Sequence, residues 1–208
     1  MNFFVTGTDT NAGKTFVTAL LTKSLRQAGF DTVAMKPVSC GDPGDTLLLR
    51  AAGDNELTFD EVTPISYKAP VAPIEAARQE RRTFDPAEAL RVFKRLHKTH
   101  TSILVEGVGG WLVPLSKNYS SADLANAIGL PILLVARNRL GAINHTLLTL
   151  ESIQAHGLVC GGIILNNHPL DSNDIAAAGN RLILEQLTQV PILFEISPGQ
   201  SELELAVA

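Results

Sequence analysis

The sequence predicts a single α/β domain, a mostly parallel β-sheet with helices on both faces. Three observations predict it. Short apolar, β-branched runs alternate with segments of helical period. A glycine-rich turn joins the first such run to the first helical one. The 208 residues suit one domain, spanning 1–208, with a substantial core.

In chain order, a strand over Phe3 to Thr6 enters the turn Gly7-Thr8-Asp9-Thr10-Asn11-Ala12-Gly13-Lys14-Thr15. A helix from about Lys14 to Ala28 follows, with Val17, Leu20, Leu21 and Leu25 on one face and Gly29 closing it. The second strand is read at Thr32 to Lys36, and a helix-like run covers Thr46 to Ala52. From Asp54 to Glu80, Pro64, Pro70 and Pro73 break any regular element, so this stretch is expected to be a loop covering a substrate rather than a loose surface excursion. Asp85 as N-cap and Pro86 at the first position open a helix that buries Leu90, Phe93 and Leu96. Strands are read at Ile103 to Glu106, Ile132 to Ala136, Gly162 to Leu165 and Ile192 to Phe194, and helices at Ser121 to Ile128, Ala142 to His156 and Ile175 to Leu187.

Composition excludes several function classes. The net charge is −4 with no long Lys/Arg block, and the Arg78, Arg81, Arg82 cluster is interrupted by Glu80, which suits a solvated face; no nucleic-acid partner is expected. Cys40 and Cys160 have no CxxC spacing, arguing against a disulfide framework or structural zinc and fitting a reducing compartment. His97 and His100, without an acidic partner nearby, are expected to be solvated. No cleavable leader and no run near the roughly 20 apolar residues of a membrane span appear, so a soluble cytoplasmic protein with no membrane partner is expected.

The turn carries the chemistry. In such a loop successive backbone N–H groups and the helix N-terminus face phosphates, Lys14 reaches the β/γ oxygens and the Thr15 hydroxyl ligates Mg²⁺, as in a P-loop NTPase. It is one residue longer than the usual spacing, with Thr8 after Gly7. The competing reading is a plain glycine-rich turn closed by a helix-starting threonine. In a parallel sheet ligands sit outside the carboxyl ends of the strands. Lys36 stands there beside the loop, kept extended by Pro37. Glu106 ends a wholly apolar strand, suiting Mg²⁺ or merely capping the next turn, and Gly107, Gly109 and Gly110 after it let backbone approach a ligand. Asp45, taken alone, reads as a helix N-cap. The helix start at Arg139 to His145 is a natural anion-binding end, and His145 is assigned no chemistry. Asn166 and Asn167 end a strand where an amide either reads an adenine edge or caps a turn.

The Gly-Thr-Asp-Thr loop ending in Gly13-Lys14-Thr15, Lys36-Pro37-Val38, Glu106-Gly107-Val108-Gly109-Gly110-Trp111 and Leu140-Gly141-Ala142-Ile143-Asn144-His145, in this order, resemble the dethiobiotin synthetase family over nearly the whole chain. The resemblance implies that 7,8-diaminononanoate, CO₂ and MgATP, with ATP as co-substrate, give dethiobiotin, ADP and phosphate in biotin synthesis, and that the enzyme is a homodimer with its small-molecule substrate site at the subunit interface. It implies Lys14 and Lys36 as catalytic residues and Thr15, Asp45 and Glu106 around Mg²⁺, raising Asp45 from cap to metal-site residue. An ATP site is implied at Asn11, Ala12, Gly13, Lys14, Thr15, Phe16, Asp45, Glu106, Gly107, Val108 and Gly109, with Asn166, Asn167, Glu195 and Ile196 towards the base. Substrate contacts are implied at Thr10, Lys36, Cys40 and, from the neighbouring subunit, Gly141, Ala142, Ile143 and Asn144. The chain departs from the family at Cys40, where a hydroxyl residue is frequent, at Asn11, where some relatives are acidic, and in Leu193 to Pro198, which matches the family's base loop loosely.

A partitioning-type nucleotide switch would carry an additional lysine early in the loop, where Gly7-Thr8-Asp9 stands, and a basic amphipathic tail, whereas Ser201 to Ala208 is acidic. A corrin-pathway amidoligase would need room for a glutaminase domain. An NAD-binding reading lacks Gly-x-Gly-x-x-Gly after the first strand.

Overall fold

The computed structural model describes residues 1–205; the last three positions of the acidic tail, 206–208, lie outside the described residues. The chain runs β1 (Asn2–Gly7), α1 (Lys14–Gln27), β2 (Thr32–Met35), β3 (Val38–Cys40), α2 (Gly44–Ala52), α3 (Phe59–Val62), β4 (Ile65–Tyr67), α4 (Pro73–Gln79), α5 (Pro86–Thr99), β5 (Ser102–Glu106), β6 (Pro114–Ser116), β7 (Tyr119–Ser120), α6 (Ser121–Ile128), β8 (Ile132–Arg137), α7 (Ala142–Ala155), β9 (Cys160–Asn166), a single 3₁₀ turn (Pro169–Asp171), α8 (Ala177–Leu187) and β10 (Ile192–Ile196).

Six strands form one sheet in the order β10-β9-β8-β1-β5-β2, every pair parallel. Parallel strands must be covered on both faces, and β5 shows how. Ile103 and Val105 join a cluster with Val92, Phe93 and Leu96 of α5 and Leu124 of α6, while Leu104 joins Val17, Leu20, Leu21 and Leu25 of α1. The register sets Val5 beside Glu106, Gly7 beside Val135 and Arg137 beside Asn166, so the ends of the central strands share one sheet edge. The tail docks on the α1 side through buried Leu203, whose N–H donates to Ser24 Oγ at 3.1 Å. Among the described residues no helix is long and apolar enough to cross a membrane.

Several expectations are corrected. The stretch from Asp54 to Glu80 holds α3, β4 and α4. Its prolines sit where they do no harm: Pro73 takes the first position of α4, where no N–H is needed, and Pro64 precedes β4. Thr58 and Glu61 cap α3 reciprocally, and β4 buries Ile65 and Tyr67 while pairing with β3, a strand the sequence reading missed. The second strand ends at Met35, so Lys36 lies just beyond it. Strand β10 continues to Ile196, which places Glu195 and Ile196 inside the sheet. His100 has acidic partners after all: its Nδ1 lies 2.9 Å from Asp31 Oδ1 and 3.7 Å from Glu56 Oε1, brought near from distant parts of the chain. His97 stacks on Phe93.

Candidate active site

The loop from Gly7 to Thr15 is anchored at both ends. Thr8 N–H donates to Val135 O at 3.0 Å, and Gly13 accepts from Val17 N–H at 3.0 Å as the N-cap of α1. Two residues within it take the left-handed conformation, Asn11 at φ 62° and Gly13 at φ 90°. Only glycine fits at 13, because a Cβ there would stand 2.0 Å from Asn166 Nδ2. That amide, buried at the end of β9, donates to Ala12 O at 3.0 Å and props the loop from behind.

On the open side the loop meets the ends of β2 and β5. The Thr15 hydroxyl donates to Glu106 Oε1 at 2.7 Å, and Lys36 Nζ donates to the same oxygen at 2.9 Å and to Asp45 Oδ2. Glu106 is fully buried, and its Oε2 has no partner among the described residues. Asp45 is not the helix N-cap: Pro43 holds that position, and Asp45 in the first turn of α2 turns its carboxylate to Lys36. Burial works to lower Lys36, but the Glu106 and Asp45 carboxylates together outweigh it and hold the ammonium above the usual lysine range. Since that raises the folded value above 10.5, the stabilisation from this pairing is fully present at neutral pH and is lost only as pH rises through the folded value. Lys14 shifts the other way. Burial lowers it, neighbouring Lys36 adds to that, and Glu106, Asp45 and Asp9 offset only part. It is a buried cation short of negative charge.

A cavity of about 680 Å³ opens over these groups. It brings together Thr10, Asn11, Gly13, Lys14, Thr15, Phe16, Lys36, Cys40, Asp45, Glu106, Val108 and Gly109. The remaining expected residues lie off its wall. Ala12 and Ile196 are packed in the core beside α1, and Gly107 is pressed against Phe4 and Ser121. Asn167 and Glu195 are tied to each other and to buried Asn138 behind the β8 and β9 ends. Gly141, at φ 91°, caps α7, and Gly141 to Asn144 do not reach this chain's own cavity. Sequence reasoning missed Ser39, Pro70 to Pro73, Val113, Arg137, His168 and Leu170, which also line it. Arg137, a charge at the end of an apolar strand, carried the same signal as Glu106. The wall at 70 to 73 places part of the proline-punctuated stretch over the site.

Cys40 sits half-buried on this wall, and burial, with Glu80 adding to it, pushes its thiol up to about 11. Iodoacetamide at pH 7.5 is therefore expected to label Cys40 slowly, with the rate climbing towards pH 11 as thiolate forms. Peptide mass mapping reads this, and prompt labelling at pH 7.5 would contradict the assignment.

A family model described as an AAA domain matches residues 1–203. The ATP-dependent dethiobiotin synthetase BioD of Akkermansia muciniphila is 46% identical over 206 residues, covering 99% of this chain and 96% of that protein. That of Thermodesulfovibrio yellowstonii is 39% identical over 206 residues, covering 92% and 86%. The solved septum site-determining protein MinD complexed with Mg-ADP from Pyrococcus horikoshii OT3 matches 93% of this chain and 80% of its own with a TM-score of 0.58 at 19% identity, a likeness of fold alone. With a phosphate loop, a strand-end lysine and a buried acid converging on one cavity, and with relatives matched end to end, this chain belongs to the ATP-dependent dethiobiotin synthetase family.

Proposed function

We propose that this chain joins CO₂ to 7,8-diaminononanoate and closes the ring to dethiobiotin, converting ATP to ADP and phosphate. The observation that carries the reading is Lys36: a buried ammonium held by Asp45 and Glu106 in the same cavity as the phosphate loop, where a transferring phosphoryl group and a second anion would both need it.

One amine of the substrate takes up CO₂, forming an N–C bond and releasing a proton, to give a carbamate. A carbamate oxygen attacks the γ-phosphorus, ADP leaves, and a carbamic-phosphoric anhydride results. The second amine then attacks the carbonyl carbon and expels phosphate. Lys14 and the loop N–H groups hold the triphosphate, and Lys36 balances the charge gathering between carbamate and γ-phosphate. Mg²⁺ suits the donors present: the hydroxyl of Thr15 and the carboxylates of Asp45 and Glu106 are hard oxygens, and the unpartnered Glu106 Oε2 is a buried acceptor in need of a cation. Bound there, Mg²⁺ would neutralise phosphate charge. Asp45→Asn and Glu106→Gln are expected to raise the Mg²⁺ concentration for half-maximal activity, and a metal dependence equal to the parent's in both would make these acids structural.

The family resemblance assigns Gly141 to Asn144 to the carboxylate of substrate bound at a neighbouring subunit, and the positive end of α7, which does not line its own chain's cavity, suits an anion. The resemblance also implies a homodimer, which sedimentation is expected to show as twice the 22.2 kDa chain mass. The test of the function as a whole is ADP release: slow with ATP alone, and stimulated only when diaminononanoate and bicarbonate are both present. Equal turnover without either would overturn it.

A further inference from the structure

Arg137 ends β8, a strand otherwise apolar and buried, and lines the cavity across β1 from the strands that bring Lys36 and Glu106. Among the described residues its guanidinium has one partner. Both Nε and Nη2 donate to the Asp171 carboxylate, the Nη2 bond at 2.9 Å, with only 18% and 13% of the two side chains exposed. Such a two-point pair fixes direction as well as distance. Asp171 closes the 3₁₀ turn Pro169–Asp171, and His168 and Leu170 of that segment stand on the cavity wall. The turn buries no residue of its own, and Leu170 is left 83% exposed at the cavity rim. Apolar packing therefore does not dock it. The ion pair does, helped by the bond from Leu140 N–H to Asp174 Oδ2 at 2.7 Å just beyond.

The phosphate loop follows β1 in the middle of the sheet, and the acids and Lys36 lie on the β5 and β2 side. With the γ-phosphate directed there, the nucleoside must extend the other way, over the ends of β8 and β9. We propose that Arg137 and Asp171 are a positioning pair for the nucleoside half of ATP, holding the segment from His168 to Asp171 as a wall against ribose and base. This rests on the ATP-dependent reading above. The pair acts on nucleotide affinity and leaves the reacting atoms to Lys14 and Lys36.

The experiment compares Asp171→Ala, Arg137→Lys and the exchanged pair Arg137→Asp/Asp171→Arg in steady-state assays, with melting temperatures alongside. Asp171→Ala is expected to raise the ATP KM by about tenfold, as the wall against ribose and base loses its fixed place, with kcat and the diaminononanoate KM nearly unchanged. Arg137→Lys, which keeps the charge and loses the fork, is expected to fall between, and the exchanged pair to recover part of the loss. Inhibition by inorganic tripolyphosphate, which fills only the phosphate loop, is expected to stay at the parent's level in folded variants. An unchanged ATP KM in Asp171→Ala, or tripolyphosphate weakened in parallel with ATP, would overturn the proposal, the latter making Arg137 a phosphate ligand. If the parent turns over ATP normally while these results fail, only this inference falls. A parent without ATP turnover would bring down the function it rests on as well.

Discussion

Lys36→Gln is expected to lower dethiobiotin formation by about 10²-fold or more, the usual cost of removing a charge from a developing anion, while the ATP KM moves little. Two consequences of the geometry are separable. The first is chemical, because among the described residues no other side chain joins Asp45 to Glu106 across the cavity. The second is structural. Without the ammonium, fully buried Glu106 keeps, among the described residues, just the Thr15 hydroxyl at 2.7 Å, and breaking a buried pair from one side costs about 3–5 kcal/mol. Lys36→Gln/Glu106→Gln replaces both charges with amides and is expected to regain most of the stability and none of the turnover. Lys14→Gln should differ by weakening ATP binding broadly, since that buried lysine is the one left short of negative charge. Near-normal product formation by Lys36→Gln would refute its assignment.

Gly13→Ala should abolish measurable ATP binding in a protein that still folds. Alanine at φ 90° is strained by about 1–3 kcal/mol, and its Cβ would sit 2.0 Å from Asn166 Nδ2. Asn166 would have to swing away, releasing Ala12 O and the support under the loop. Titration calorimetry with ATP reads the loss, and thermal melting separates it from unfolding. Gly13→Ala/Asn166→Ala removes the clash and keeps the strained φ. Partial recovery of binding in the double variant is expected, and parent-like affinity in Gly13→Ala alone would show that the loop does not need this conformation.

What the sequence disclosed and what it withheld follow from the range of the interactions. Local signals were legible: Asp85 does cap its helix, accepting from Ala87 N–H at 2.9 Å, and Gly29 follows α1 at φ 90°. The six apolar runs became the six strands of the parallel sheet, so strand-end logic located Lys36 and Glu106 at one site. Contacts between distant segments were not legible. Asp45 reads as a cap until the fold sets Lys36 opposite it, and His100 reads as solvated until Asp31 and Glu56 close around it. Strand β4 escaped notice because Ile65 to Tyr67 is too short to show a period, and it forms only where β3 offers an edge. The cavity wall at His168 and Leu170 has no motif at all, since its place is set by an ion pair rather than by its own sequence.

The central claim is that a carbamate oxygen becomes an oxygen of the released phosphate. Supplying freshly prepared C¹⁸O₂ with diaminononanoate and ATP, and analysing the phosphate by mass spectrometry before the label exchanges with water, tests this directly. The mechanism predicts one ¹⁸O carried into each phosphate formed with dethiobiotin. Dethiobiotin accompanied by unlabelled phosphate would contradict it, because ATP would then be cleaved without phosphorylating the carbamate.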